Sequence, residues 1–384
     1  VKRIWQQEGV LWGIYALAAI LVSVQRLWLT HQKLVPYPTD YENYLIFKNA
    51  FRHLLQGQNI YASFQGEQWD LYKYSPAFAL GMAPFHALPD FLGLPLWNLL
   101  NALLPLYALM QLKGLSKTQQ IFCAWFMFPE MLVSLQNSQS NGLTLGLILL
   151  SFAALESQRQ IQAAGVVAAA TFLKVFGIFA APLAWIYPNR LKFSLWLLVW
   201  CLFFTCIPLV VVRPTYLIQL YQWWGVLLNE DHAASIGLSV QGWLQTWFGL
   251  MPPKLLISIF GILSLLLTVY QTGKNPVWPN RLALWASLLI WVVIFNHKAE
   301  SPTFVIALCG AALWYCSLAK PGKWDTGLLA LVFIFASLTP TDLFPRMWRE
   351  QWVQPYVLKA APCIALWIWI TVRLVWRLDQ RQAQ

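Results

Sequence analysis

Charge is the scarce ingredient of this sequence. Asp, Glu, Lys and Arg make up 11% of its 384 residues, whereas soluble domains hold about 25%. With 59% hydrophobic residues, the composition excludes an ordinary soluble chain and leaves a polytopic membrane protein. No basic stretch is interleaved with stacking aromatics, so the net charge of +11 does not point to nucleic acid. Lys and Arg instead mark cytoplasmic loops and anionic lipid. The six cysteines (Cys123, Cys201, Cys206, Cys309, Cys316 and Cys363) lie in or beside apolar runs and lack metal-ligand spacing. They are expected as packed thiols. No internal repeat, no linker to a soluble domain and no nucleotide-binding Rossmann unit is visible. The run from Val10 is too long for a signal-peptide core and lacks a small-residue cleavage site, so it is expected as a retained first span.

Aromatic residues and long apolar runs are plentiful. The 23 Trp suit the bilayer interface, where one edge of the indole is wet and the other apolar. A span needs about 20 apolar residues, or fewer at kinks and broken helices. On that rule spans are expected near 10–29, 93–112, 119–135, 142–155, 161–173, 177–188, 193–212, 254–272, 281–296, 302–318, 325–338 and 357–376. Segment 76–91 is apolar but short, and Pro76, Pro84 and Pro89 punctuate it. If it dips in without crossing, the basic short loops around Lys113/Lys117, Arg159, Arg190/Lys192, Lys274/Arg281 and Lys320/Lys323 share a side with both termini. Counting in Lys2, Arg3, Arg373, Arg377 and Arg381, the positive-inside rule favours that topology. The expectation is an all-α polytopic protein, a single domain over 1–384 with about twelve transmembrane helices. Both termini would be cytoplasmic in a bacterial-type inner or plasma membrane. The outer loops would be 30–75, 213–253 and 297–302.

Asp40 heads the first of these loops, just beyond the first span, within Tyr37-Pro38-Thr39-Asp40-Tyr41-Glu42. A carboxylate there suits an enzyme at the membrane surface, or caps a helix. From Thr39 to Tyr61 the pattern predicts an amphipathic helix capped by Thr39 or Asp40 and ended by Gly57, with Tyr44, Phe47, Phe51, Leu54 and Leu55 on one side. Lys48 and Arg52, four apart, share a face that brings two cations near lipid phosphates. In the re-entry "WDLYKYSP", Tyr72, Lys73 and Tyr74 are either interfacial anchors or phosphate contacts. The turn "SLQNSQSNG" offers the amides of Gln136, Gln139 and Asn141 for sugar hydroxyls, or is simply solvated. Glu130, inside a span, needs a partner or a wet cavity. Lys174, breaking an apolar run, either snorkels or binds an anion. Gln241 lies in the 213–253 loop with Trp223, Trp224, Asp231, His232 and Trp243. In "FNHKAESPTF", His297 and Lys298 could neutralise a phosphate leaving group while Glu300 orients His297; a solvated turn is the competitor.

Taken in order, the early aspartate, "LLQGQNIY", "YKYSP" with "FALGMAPFHALP" and "LWNLLN", the Gln/Asn-rich turn and "AGVVAAATFLKVFGIFAAPLAWIYPNRLK" resemble glycosyltransferase family 87. The likeness in order and hydropathy covers most of the chain. It implies a GT-C-like bundle and an enzyme that takes sugar, mannose above all, from a polyprenyl-phosphate donor to a lipid or glycan acceptor on the outer face. It also implies Asp40 as general base and His297 as the late-loop histidine, although the flanking "HKAESP" departs from the family pattern. The chemistry agrees with the residues. Asp40 would take the proton of an attacking acceptor hydroxyl, inverting the anomeric centre in a single displacement. Lys48, Arg52, Lys174 or Lys298 would stabilise the leaving phosphate. An ordinary carboxylate is a weak base, so burial or strong positioning is required. No cofactor is expected, because the donor is a substrate. A divalent metal held by Asp40 and Glu42 with Asp231 or His232 stays open. Membrane lipids are partners, and a monomer or weak oligomer is expected. The rival readings are a flippase for lipid-linked glycans, which ordinarily shows an internal repeat, and a non-catalytic subunit of an envelope complex.

Overall fold

The structure is a computed structural model that describes residues 7–32, 39–230, 237–339, 341 and 344–376. Among these residues all regular structure is helical. In chain order the α-helices are α1 (Glu8–His31), α2 (Glu42–Leu55), α3 (Pro76–Gly81), α4 (Ala83–His86), α5 (Asp90–Met110), α6 (Lys117–Gln136), α7 (Asn141–Glu156) and α8 (Gln160–Leu173). They continue as α9 (Arg190–Cys206), α10 (Pro214–Asn229), α11 (Val240–Phe248), α12 (Lys254–Gly273), α13 (Trp278–Ile294), α14 (Phe304–Ser317), α15 (Lys323–Val332), α16 (Arg346–Trp348) and α17 (Ala361–Trp376). A 3₁₀ stretch runs over Val175–Ile186, and π-helical turns occupy Phe333–Leu338 and Arg349–Val353.

Helical segments lie where the apolar runs predict them. Four of them, Glu8–His31, Asp90–Met110, Arg190–Val210 and Lys254–Gly273, are long and apolar enough to cross a membrane. The 76–91 segment forms two short helices that meet at Met82. Ser75 starts the first, its hydroxyl accepting from the Phe78 amide at 3.2 Å, and Pro76 follows at the first helical position. There the missing N–H is no loss.

The chain forms two compact units. The first comprises Val1–Gln111, Ser134–Ile178 and Leu191–His232; the second comprises Leu112–Val133, Phe179–Arg190 and Ala233–Gln384.

In the first unit α5 packs on α1 and α7, and α7 on α8. Small residues allow the closest approach, as expected where lipid gives no hydrophobic drive between helices. A Cβ on Gly142 would lie 2.1 Å from the Asn101 carbonyl oxygen, and one on Gly146 would strike Leu104 and Pro105. Against this frame α2 buries Tyr44, Phe47, Phe51 and Leu54, as its pattern predicts. Phe47 meets Tyr74, Phe78 and Trp97 at ring separations of 4.9, 5.4 and 5.5 Å. Leu55, expected on the same side, is 51% exposed, because α2 closes there. Gly57, at φ +67°, does end the helix. Its N–H reaches the Leu54 carbonyl while Gln58 N–H reaches that of His53, the paired closure a left-handed residue permits.

In the second unit α13 and α14 form the core, with Leu282–Ile294 and Phe304–Trp314 buried throughout. Gly310 lets α14 sit on the Ala286 carbonyl. α17 packs on α12, α13 and α15. Within this unit Asp325, the N3 residue of α15, accepts from Gly322 N–H, Trp369 and Arg373, tying the start of α15 to α17. All six cysteines are free thiols.

Candidate active site

The last turns of α1 hold Asp40 at two points. Arg26 and Thr30, four apart, share a helix face. The Arg26 guanidinium donates to Asp40 Oδ2 at 2.5 Å, and the Asp40 backbone N–H donates to the Thr30 hydroxyl at 2.8 Å. Both charged side chains are 20% exposed. Asp40 Oδ1 has no hydrogen-bond partner among the described residues. Positioning therefore comes from α1, not from helix capping. The N-cap of α2 is Tyr41, and no side chain caps it, so the expectation that Thr39 or Asp40 would do so is corrected. Arg26 escaped notice in the sequence. An arginine inside an expected span needs a partner, and that was the usable signal.

The neighbouring carboxylates are committed to structure. Glu42 is buried and accepts from Trp69 N–H at 2.7 Å and the Thr39 hydroxyl at 3.2 Å. Its burial raises its pKa, against the pull of those hydrogen bonds. Asp90, first residue of α5, receives Lys48 at 2.7 Å and the Tyr41 hydroxyl at 3.1 Å. Glu67 receives Arg52 at 2.5 Å and lies 3.0 Å from His53 Nε2. Lys48 and Arg52 thus share a face, as expected, but protein carboxylates occupy them, which corrects the expectation of cations turned to lipid phosphate. Burial lowers the pKa of His53, with the Glu67 contact opposing. Lys73 pairs with Asp70 at 2.7 Å. Tyr72, expected at substrate, is fully enclosed and gives its hydroxyl to the Ser75 carbonyl at 2.8 Å.

The amide turn joins this neighbourhood. Asn43, in the first turn of α2, donates to the Asn137 carbonyl at 2.9 Å. α6 closes with Ser138 in the left-handed region, φ +49°, where glycine is usual. The turn is not a solvated one: Gln139 is 8% exposed and Asn141 1%, and Gln136 is half-buried. The hydroxyls of Ser134, Ser138 and Ser140 are buried without a hydrogen-bond partner among the described residues. Lys174 ends α8 and donates to Asn141 Oδ1 at 2.5 Å, with the Tyr74 and Phe176 rings each 5.9 Å away. Tyr74, Asn141 and Lys174, singled out separately in sequence, therefore meet in the first unit.

In the second unit the loop after α13 carries His297. Asn296 folds it, its side chain accepting from Lys298 N–H and its carbonyl from Ala299 N–H. The Ala299 carbonyl accepts from Leu238 N–H at 2.9 Å, and Gly237 lies where any Cβ would strike the His297 carbonyl. His297 and Gln241 line one small cleft with Lys254 and Ser239. Burial, then the Lys254 and Lys298 charges, lower the His297 pKa, so at neutral pH its imidazole is neutral. Lys298 is half-buried and Glu300 is exposed. Glu130 has found its partner: Lys359 donates to it at 2.8 Å, with the side chains 0% and 4% exposed, and also to the Ser301 hydroxyl at 2.7 Å. Lys359 is inconspicuous in sequence because it opens an apolar run, yet an acid within a span asks for such a cation.

The sequence matches the model of glycosyltransferase family 87 over residues 72–321. The chain belongs to glycosyltransferase family 87. No curated protein matches it. This family 87 protein is thus a glycosyltransferase with the character of a membrane protein. Its matched range takes in the amide turn, Lys174, Gln241 and His297, whereas Asp40 and α2 precede it. Glycosyl transfer needs a proton acceptor for the incoming hydroxyl, donors and acceptors for sugar hydroxyls, and positive charge at the leaving group. The first unit offers Asp40, buried amides with serine hydroxyls, and Lys174. The second offers His297 with Lys254 and Lys298. Among the described residues no three of His, Cys, Asp and Glu cluster as metal ligands. Asp231 and His232 lie outside the described residues, as do Tyr37, Pro38, Lys2, Arg3, Arg377 and Arg381.

Proposed function

We propose that this family 87 enzyme transfers a sugar, mannose first among the candidates, from a polyprenyl-phosphate donor to a hydroxyl of a lipid or glycan acceptor. Asp40 is the general base. One observation carries the assignment: two anchors on α1 fix Asp40, and its Oδ1 has no hydrogen-bond partner among the described residues. A base must be held in place and still have an oxygen to receive the proton. The hydroxyl oxygen attacks the anomeric carbon as the bond to the donor phosphate breaks, so configuration inverts. Asp40 takes the hydroxyl proton, and the phosphate leaves with the bonding pair. In the first unit Lys174 supplies positive charge for that anion, and Gln136, Gln139 and Asn141 recognise sugar hydroxyls.

The reading includes twelve spans in a GT-C-like bundle, cytoplasmic termini, and a site on the outer face of a bacterial-type inner membrane. The basic short loops support that topology. The purified protein, given polyprenyl-phosphate mannose and a lipid extract, is expected to form a new glycosidic bond. Asp40→Asn should abolish transfer while leaving a cooperative thermal transition in place. Full transfer by that variant would overturn the base assignment.

A further inference from the structure

Two cysteines of the second unit meet across a pair of helices. Cys123 lies near the start of α6 and Cys316 in the last turn of α14, 193 positions later, and their sulfurs are 3.7 Å apart. Neither takes part in the transfer described above. Around them the two helices are tied side by side. Gln119, one turn before Cys123 and on the same face of α6, donates its amide to the Cys316 carbonyl at 3.1 Å. The adjacent rings of Phe122 and Tyr315 meet at 6.0 Å, and the Tyr315 hydroxyl lies 3.1 Å from that of Thr326.

The two thiols differ in access. Cys123 is fully enclosed, whereas Cys316 is half-buried. Both stand near helix ends beside exposed polar residues, Lys113, Ser116 and Lys117 before α6 and Lys320 and Lys323 after α14. A small polar oxidant can therefore approach Cys316 from water while Cys123 stays shielded. An accessible thiol beside a second, resolving thiol is the arrangement that oxidation carries to a disulfide. A disulfide sets its sulfurs about 2.05 Å apart, so the gap has to close by roughly 1.7 Å, shared between two side chains.

We propose that Cys316 and Cys123 are a modification site for hydrogen peroxide, with Cys316 the thiol that reacts first and Cys123 the resolving thiol. The Cys316 sulfur attacks one peroxide oxygen and the O–O bond breaks. The departing hydroxide takes the thiol proton and leaves as water, so Cys316 becomes a sulfenic acid. The Cys123 sulfur then attacks the Cys316 sulfur, the S–O bond breaks, and the hydroxyl leaves with the Cys123 proton as a second water. Two electrons pass from the sulfur pair to the peroxide, and the product is a covalent tie between α6 and α14. The site stands on the second unit's own residues and is independent of Asp40 and of sugar transfer.

The full chain, purified reduced in detergent, is treated with a slight excess of hydrogen peroxide, alkylated, and digested without reductant. Mass spectrometry should find a peptide pair joining Cys123 to Cys316, lighter by two hydrogens than the two reduced peptides together. The oxidised protein should melt at a higher temperature than the reduced one, since the link restrains a long loop of the unfolded chain. Dithiothreitol should reverse both changes. In Cys123→Ser the reaction should stop at a Cys316 sulfenic acid that dimedone traps, and Cys316→Ser should leave Cys123 reduced at the same dose. The cross-link in the unsubstituted chain is read whether or not either variant folds. Absence of the linked peptides, an equal yield from chain first unfolded in dodecyl sulfate, or Cys316 carried to the sulfinic acid with Cys123 still alkylated would overturn the proposal and leave two thiols in ordinary packing contact.

Discussion

Asp40 and Glu130 each meet a cation within hydrogen-bond distance, in surroundings that share little else. Arg26 and Asp40 are each 20% exposed, at the end of a long apolar helix, and one Asp40 oxygen has no partner among the described residues. Glu130 and Lys359 are 0% and 4% exposed, and Ser301 completes the arrangement. A partly exposed pair keeps solvent as an alternative partner, so breaking it is mild and its carboxylate can turn to chemistry. A buried pair has no such alternative: each charge exists only because the other is there. The first arrangement can orient a reacting group. The second fixes a place in the fold.

The largest effect should come from breaking the buried pair one side at a time. Glu130→Leu or Lys359→Met should destabilise the protein by about 3–5 kcal/mol, because an unpaired charge is left in the interior. The double replacement Glu130→Leu with Lys359→Met should recover most of that loss. Thermal unfolding of the four proteins in one detergent reads the coupling, and additive losses would contradict the account. At the other pair, Arg26→Gln should lower stability by about 1 kcal/mol or less while reducing transfer, because Asp40 loses an anchor. Transfer and melting measured on the same preparation separate the two effects. The smallest effect is one of pH. His53 is 2% exposed, stacked on Phe64 at 3.6 Å, and its pKa is depressed by burial. A depressed folded pKa means that the unfolded chain binds the proton more readily, so stability is present above the ordinary histidine range of about 6.5 and falls as pH drops through the folded value. His53→Asn should flatten the acid side of the stability profile, read as melting temperature against pH from 7 downward.

Much of the helical layout was legible because apolar runs and proline breaks are local properties. The α2 face was legible for the same reason: Tyr44, Phe47, Phe51 and Leu54 repeat at helical spacing. Its end was too, since Gly57 permits a left-handed closure. What α2 does with its cations was not. Lys48 finds Asp90 and Arg52 finds Glu67 through tertiary contacts that no short-range spacing encodes. The same holds for Arg26 with Asp40 and for Glu130 with Lys359, which are 229 positions apart. In such apolar surroundings an isolated charge is itself the clue. Arg26 and Glu130, each alone in an apolar run, call for partners on that ground. The amide turn shows the opposite limit: its residues were noticed, but only packing reveals that Gln139 and Asn141 are enclosed.

One feature of the fold bears on how such a protein can be handled at all. In α9 only Phe193 is buried, while Leu191, Leu195, Leu198 and Leu202 are 57–72% exposed. That surface is finished by whatever amphiphile surrounds it. The chain length and tightness of that layer therefore belong to the thermodynamic system, and a melting temperature describes the protein together with its detergent or lipid.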